Sequence, residues 1–392
     1  MCEHCSQPGQ GPLYNLDLLA NKLGVLTPTT YPDEDNRLEI MPSDTNILRM
    51  CTNTFTERYE FIRNLGQGSE GETSLWQWRD TPEATVAVKL IRKAHPSTKD
   101  EADMLKHLRQ FNQERIIKLM ATYSRMPNQN NKLLLLEPCR YDLHTYKEQQ
   151  DVQGLAVPES FIWRVFQQVT EALRFLHKGP EGHTGRWISI IHHDVKAVNV
   201  LLKPHLQFRN IVYMDSVKLA DFGFAAEYNP SMRHCVCGTY EYMPPECQSN
   251  NLTCATPAKD IWALGGVIHF LVHGFGPVSQ DPSLRRLPSK LIPKVVCRVD
   301  AKPPNGAQSW KRVYSTELND FMSICLTTDR KKRVAADSLL WAMEARERLR
   351  DDSNSATGTE ESTRADGVPR TARPPMTTRT RRRLQSFLKR LF

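Results

Sequence analysis

Two aspartates, an asparagine and two lysines sit in five short motifs that follow one another along the chain. In order these are Gly66-Gln-Gly68-Ser-Glu-Gly71, Val86-Ala-Val-Lys89, His192-His-Asp194-Val-Lys196-Ala-Val-Asn199, Asp221-Phe-Gly223 and Pro244-Pro245-Glu246. Phosphoryl transfer from a nucleotide needs covered phosphates, charge neutralised by metal and lysine, and an attacking hydroxyl held in line. Gly66, Gly68 and Gly71 let a hairpin come close to phosphates, because a β-carbon at those points would block the backbone. Asn199 and Asp221 are hard oxygen donors of the kind Mg2+ accepts. A single glycine-rich turn is a weak signal, since such turns serve several nucleotide folds. Five motifs in this order imply an ATP-using phosphotransferase.

Over roughly residues 59–348 the chain resembles the eukaryotic protein kinase family. The resemblance implies an α+β, bilobal fold. A small β-rich N-lobe with one main helix would cover 59–137, and a larger helical C-lobe 138–348. It implies that Lys89 meets the α and β phosphates and is partnered by a helix glutamate, placed at Glu101 with Asp103 as the alternative in register. By the family pattern Asp194 orients the acceptor hydroxyl and takes its proton, and Lys196 neutralises the γ-phosphate. Asn199 and Asp221 would hold Mg2+, so ATP and Mg2+ are the implied cofactors.

The adenine pocket follows from the same resemblance. Leu136 limits its back, the Glu137 carbonyl and Cys139 amide meet the adenine edge, and Leu65, Ala87 and Leu201 pack on the ring. Pro138 between the two contacts lacks an N–H, which neither of them needs. His192 and Phe222, stacked with Leu105 and Leu119, are expected to pack rather than react. Asp260 would hold the catalytic-loop backbone, and Glu246 would form a buried ion pair with Arg333. Lys196, together with Gly238-Thr239 ahead of Tyr242-Met243-Pro244-Pro245-Glu246, is similar to the serine/threonine class. The implied partner is therefore a protein with a Ser or Thr acceptor. A pseudokinase scaffold is the main alternative, and a small-molecule kinase on the same fold a third.

The chain also departs from the family pattern. His193 replaces the arginine usual before the catalytic aspartate, and Thr73 stands where a valine normally covers the adenine. About 21 residues separate Asn199 from Asp221, so Lys203 to Val217 is expected to form an extended hairpin. A further insertion runs from Lys178 to Ile188. The usual activation-segment acceptor position holds Cys235, while Ser231 lies nearer the middle of the segment. Thr239 is expected on Asp194 and Lys196, so activity is expected without a phosphate on the segment, intrinsic or set by a partner. Cys235 and Cys237 read as inert thiols, with a redox role the weaker option.

The elements that must position these groups are legible as patterns. Asp100 to Phe111 is one amphipathic helix, Leu133 to Leu136 a buried strand, and Glu159 to Leu176 and Asp260 to His273 helices. Ile261 to Phe275 is the most apolar long segment, but His269, His273 and glycines interrupt it, which suits a buried helix better than a membrane span. Residues 1–55 form an extension of unassigned role, with a short helix around Leu16, Leu19 and Leu23. Residues 351–378 have almost no large apolar side chains and are expected to be a disordered linker.

The formal charge of +8 is concentrated at one end. Residues 379–392 carry Arg379, Arg381, Arg382, Arg383, Lys389 and Arg390 and no acid, leaving +2 for the rest. A nucleic-acid role for the body is not expected. In that tail Leu384, Phe387, Leu388, Leu391 and Phe392 share one helical face. Such a helix suits an anionic membrane surface, a partner groove or an import receptor reading the basic run. Ten cysteines without a secretory signal at Met1 to Ser6 point to free thiols in an intracellular setting, cytoplasm or nucleus. Cys2, His4 and Cys5 resemble half of a zinc site but lack a second ligand pair with matching spacing.

Overall fold

A computed structural model of the chain describes residues 58–67, 71–91, 101–124, 132–203, 216–231, 237–248, 255–277 and 314–356. Gly68, Cys235, the 1–55 extension and the basic tail fall outside these residues, as do the expectations attached to them.

Alternation along the strands builds the small lobe. In β3 (Thr81–Ile91) Val86 and Val88 share one face with Tyr59 and Leu135, with Trp76 and Trp78 packed alongside. Ala87 turns to the opposite face, into the main core with Leu134 and Leu136, as the two-residue period of a strand requires. The sheet runs β1 (Tyr59–Gln67), β2 (Gly71–Trp78), β3, β5 (Lys132–Leu136), β4 (Leu119–Ser124), antiparallel throughout. Between β3 and β4 lies α1 (Glu101–Arg109), whose Glu101, Met104, Leu105 and Leu108 are buried on one face. The expected helix over Asp100 to Phe111 is thus slightly shorter, ending ahead of a left-handed Asn112 with φ of 44°.

The large lobe is helical. Asp142, in β6 (Tyr141–Asp142), caps α2 (Leu143–Val152) by accepting the Thr145 amide at 2.8 Å. The core stripe of α3 (Glu159–Lys178) comprises Ile162, Val165, Phe166, Val169, Leu173 and Leu176. It packs against β9 (Ser216–Leu219), α5 (Ala258–His273) and α7 (Ala336–Ala356), while α6 (Thr316–Cys325) lies against α5. Every residue of α5 from Lys259 to Val272 is buried, which accounts for the apolar run there. Among the described residues no helix is long and apolar enough to cross a membrane.

Short strands flank the His192-to-Asn199 and Asp221-to-Gly223 motifs. β8 (Val200–Lys203) lies between β6 and β9 and pairs antiparallel with β9, Lys203 opposite Ser216. These are the two ends of the expected hairpin, whose connection lies outside the described residues. β7 (Ile190–Ile191) pairs with β10 (Ala226–Glu227), and a one-turn α4 (Pro245–Gln248) follows.

Two expectations need correction. The last helix runs on to Ala356, past Asp351 where a disordered linker was expected to begin. Once a helix is nucleated and packed, each further residue adds a backbone bond at little cost, so polar composition alone does not stop it. The second concerns the cysteines. Cys139, Cys247 and Cys325 are free, but Cys237 is disulfide-bonded, its partner outside the described residues. Pairing depends on which backbones the fold brings within reach, and spacing along the chain does not fix that.

The insertion Lys178 to Ile188 is a packed structure. Gly179 ends α3 with φ of 84°, and its amide donates to the Phe175 carbonyl at 2.8 Å. A β-carbon there would come within 2.8 Å of the Trp187 ring. Trp187 Nε1 donates to the Leu176 carbonyl at 2.9 Å. Its ring stacks at 6.0 Å on His107 of α1 and meets Phe111 and Phe175 at 5.3 and 5.6 Å. The insertion therefore buttresses the end of α1, the helix that carries Glu101. Trp187→Ala should destabilise the fold by about 2 kcal/mol, less than a fully buried tryptophan would lose. Urea unfolding checks this, and an unchanged midpoint would exclude the buttress.

Candidate active site

Lys89 leaves β3 on the same face as Ala87 and ends between two carboxylates. Its Nζ donates to Glu101 Oε2 and to Asp221 Oδ1, both at 2.7 Å. Burial works against this ammonium, but the two carboxylates outweigh it and push its pKa upward. Of the two candidates on α1, Glu101 is buried and reaches Lys89, whereas the Asp103 side chain is 68% exposed and pairs with Lys106. The second oxygen of Glu101 accepts the Phe222 amide at 3.1 Å. One carboxylate thus joins β3 to the Asp221-Phe-Gly223 turn.

Asp194 is buried and fully engaged. Its Oδ1 accepts the Thr239 amide and hydroxyl, each at 2.8 Å. Its Oδ2 meets Lys196 Nζ at 2.7 Å and accepts Asn199 Nδ2 at 3.2 Å. Lys196 also donates to Thr239 Oγ1 at 2.9 Å. The ring Asp194–Thr239–Lys196 is closed, with Asn199 clipped to its edge.

Beneath that ring lies Asp260 on α5, fully buried. Its Oδ2 accepts the His192 amide and His177 Nε2, both at 2.9 Å, and its Oδ1 accepts the His193 amide at 3.0 Å. Burial alone would raise this carboxyl, but the His177 bond and the three histidines bring its pKa to about 2. His193 and Asp221 have left-handed backbones, φ of 70° and 65°, a conformation that disfavours side chains by about 1–2 kcal/mol per residue. His192 packs edge-on against Phe222 at 4.8 Å and bonds the Ala220 carbonyl at 3.0 Å. Leu105 and Leu119 lie in the same core. Glu246 and Arg333 form a two-pronged pair at 2.7 and 3.0 Å, with the Arg333 side chain fully buried.

Of the residues expected around adenine, two are direct neighbours and three border the same core. Ala87 and Leu136 are direct partners in the β3–β5 register, and Leu65, Cys139 and Leu201 pack against the same core. Among the described residues no donor reaches the Glu137 carbonyl and no acceptor reaches the Cys139 N–H. Two adjacent free polar groups separated by a proline suit the edge of a heteroaromatic base. The Glu137 side chain is occupied elsewhere, with Lys203 and Lys218 at 2.6 and 3.0 Å. For the metal, Asp221 Oδ2 and Asn199 Oδ1 receive no bond from the described residues, so each site residue keeps one hard oxygen for Mg2+.

The glycines divide by cause. A β-carbon on Gly71 would lie 1.9 Å from the Leu90 carbonyl oxygen, whereas one on Gly66 would meet nothing within 4 Å. The fold itself already requires Gly71, whatever a ligand adds, whereas among the described residues no atom excludes a side chain at Gly66. Thr73, opposite both Gly66 and Lys89 in register, sits on the same face as the lysine. Sequence reasoning missed His177 and Lys259, the latter 3.3 Å from His193 Nδ1. Neither belongs to a short motif.

Burial keeps His192 and His193 neutral, with the Lys259 cation helping to lower His193 to about 4. Burial, aided by His273, holds His269 near 4 as well. These rings bind a proton more readily in the unfolded chain. Their stabilising contribution is whole above about pH 6.5 and is lost as the pH falls toward 4. The urea-unfolding free energy should therefore be lower at pH 5 than at pH 7, by about 2 kcal/mol for His193 and as much for His269. Equal values at the two pH values would contradict the neutral rings.

Residues 59–342 match the family described as "Protein kinase domain". Serine/threonine-protein kinase KIC1 of Saccharomyces cerevisiae is 33% identical over 186 residues, 47% of this chain and 14% of that protein. Serine/threonine-protein kinase Nek9 of Mus musculus is 29% identical over 288 residues, 71% of this chain and 25% of that protein. Serine/threonine-protein kinase pakA of Dictyostelium discoideum is 26% identical over 287 residues, 72% of this chain and 21% of that protein. The matched segment spans a quarter or less of each relative's length. With more than half its length matched to that family, and with Lys89, Glu101 and Asp221 in contact, the chain belongs to the eukaryotic protein kinase family, serine/threonine type.

Proposed function

We propose that the protein is an active kinase that transfers the γ-phosphate of ATP to a Ser or Thr hydroxyl of a protein. The observation that carries this reading is the convergence of Lys89 on Glu101 and Asp221 beside the closed Asp194–Thr239–Lys196 ring. Glu101 holds Lys89 in place, and Lys89 meets the α and β phosphates. Asp194 orients the acceptor hydroxyl and takes up its proton, while Lys196 carries a positive charge toward the γ-phosphate. The Glu137 carbonyl and Cys139 N–H recognise the adenine edge between Leu65, Ala87 and Leu201. Asn199 and Asp221 would hold Mg2+, which supplies charge neutralisation at the phosphates. The domain would extend over 59–348, with 1–55 and 379–392 as appended segments.

A pseudokinase scaffold would be favoured by loss of Lys89, Asp194, Asn199 or Asp221, and all four are present. A small-molecule acceptor fits less well, because Gly238 to Glu246 is a segment of the kind that docks polypeptides.

The test is incubation of the purified chain with labelled ATP, Mg2+ and a generic basic protein, followed by phosphoamino-acid analysis. Lys89→Met and Asp221→Asn should each lower turnover by about 1,000-fold or more, and the double variant should be little worse than either, because groups that act as a unit do not add. Wild-type-like turnover in either single variant would sink the assignment.

A further inference from the structure

Lys259 is the second residue of α5 and is 2% exposed. Among the described residues no carboxylate lies within ion-pair distance of its ammonium. Its Nζ instead donates to the Cys237 carbonyl at 2.7 Å, faces His193 Nδ1 at 3.3 Å and comes within 3.9 Å of Cys237 Sγ. Two features of the position oppose a cation, and the carboxylates of Asp260, Asp194 and Glu246, beyond ion-pair distance, offset them only in part. A buried cation loses its hydration, and a helix N-terminus repels positive charge. Burial accordingly pulls the lysine pKa down. A side chain kept in such a place needs a reason beyond packing, and its contacts supply one.

Cys237, Gly238 and Thr239 are held against the catalytic loop one after another. Lys259 grips the Cys237 carbonyl. Gly238, with φ of 99°, lies so close to the loop that a β-carbon would sit 2.4 Å from the His193 carbonyl oxygen. Thr239 then delivers its amide and hydroxyl to Asp194 Oδ1. The neighbouring Asp260 takes the amides of His192 and His193. Two successive residues of one helix, of opposite charge, therefore clamp two loops together.

We propose that Lys259 is a positioning residue that fixes 237–239 against the catalytic loop, aims Thr239 at Asp194, and so sets affinity for the polypeptide acceptor without any phosphate on the segment. Its kinetic consequence rests on the kinase reading above, but its structural consequence does not.

Two measurements in reducing buffer on the full chain separate these. Hydrogen exchange at the Thr239 amide reads the clamp directly, with the α3 interior as internal control. Lys259→Met, which keeps the aliphatic stem, should speed Thr239 exchange about tenfold or more while α3 is unchanged, as expected for a lost charge-assisted bond. It should also raise KM for a protein substrate about tenfold while KM for ATP is unchanged. Lys259→Arg should recover most of both effects. If Lys259→Met does not fold, Lys259→Gln, which keeps one shorter donor, carries the same readouts. Unchanged Thr239 exchange overturns the proposal even if the wild type shows no phosphotransfer, an outcome that would defeat only the kinase reading. KM values for both substrates rising together also overturn it, as a general loss of structure. Phosphatase treatment of the wild type should leave initial rates unchanged. A collapse restored by a phosphate on Ser231 would transfer the clamp's role from the lysine to that phosphate.

Discussion

A carboxylate with no exposed surface must be compensated inside the protein, or burial will neutralise it. Asp260 meets that condition with two backbone amides and one imidazole, contributed by the loop at His192 and His193 and by the end of α3. Its ionised form depends on those bonds, and the bonds fix the loop. The left-handed turn at His193 would not persist as an isolated peptide conformation, because a β-carbon makes it unfavourable. Here the amide of the strained residue is itself bonded to Asp260. The strain is held by the strongest hydrogen-bond acceptor available, an ionised buried carboxylate. Asp194, its ring with Thr239 and Lys196, and Asn199 beside them are all referenced to that loop.

A second compensated cluster couples the lobes. Lys89 comes from β3, Glu101 from α1 and Asp221 from the turn after β9, so one ammonium links three segments far apart in sequence. Glu101 is the pivot, since its other oxygen takes the Phe222 amide. Any shift of α1 would leave a buried carboxylate and a buried ammonium short of partners, a penalty of several kcal/mol. The aromatic contacts of Trp187 with His107 and Phe111 act on the far end of the same helix. The charged pair resists displacement of its first turn, and the rings resist displacement of its last.

What could be read from the sequence were groups whose meaning lies within a few neighbours. Glycine spacing, the strand bearing Lys89, and the Asp194-to-Asn199 run are local, and the alternation in β3 and the stripe of α3 are periodic. What escaped reading is non-local. His177 and Asp260 are separated by 83 positions, and His193 and Lys259 by 66. A histidine ending a helix and a lysine opening one carry no pattern that predicts a meeting. Gly71 was legible as a required glycine, but the additional cause in the fold was not, because the Leu90 carbonyl that excludes a side chain there comes from the neighbouring strand.

The departures from the family pattern fall where these constraints permit them. Lengthening a connection between elements costs little entropy, about 0.6 kcal/mol per doubling. The long connection from β8 to β9 leaves from paired residues, Lys203 opposite Ser216, so the register beneath it is preserved. The Lys178-to-Ile188 insertion begins at a glycine cap and returns through Ser189, whose hydroxyl donates to the His177 carbonyl at 2.6 Å. His177 therefore stays on Asp260 whatever the insertion contributes outside. His193 is the one departure inside the compensated region. Its amide still serves Asp260, as any residue's amide would, and only its side chain differs, with Lys259 facing the ring. The backbone bond at that position does not depend on the side chain, and a cation faces it from another element.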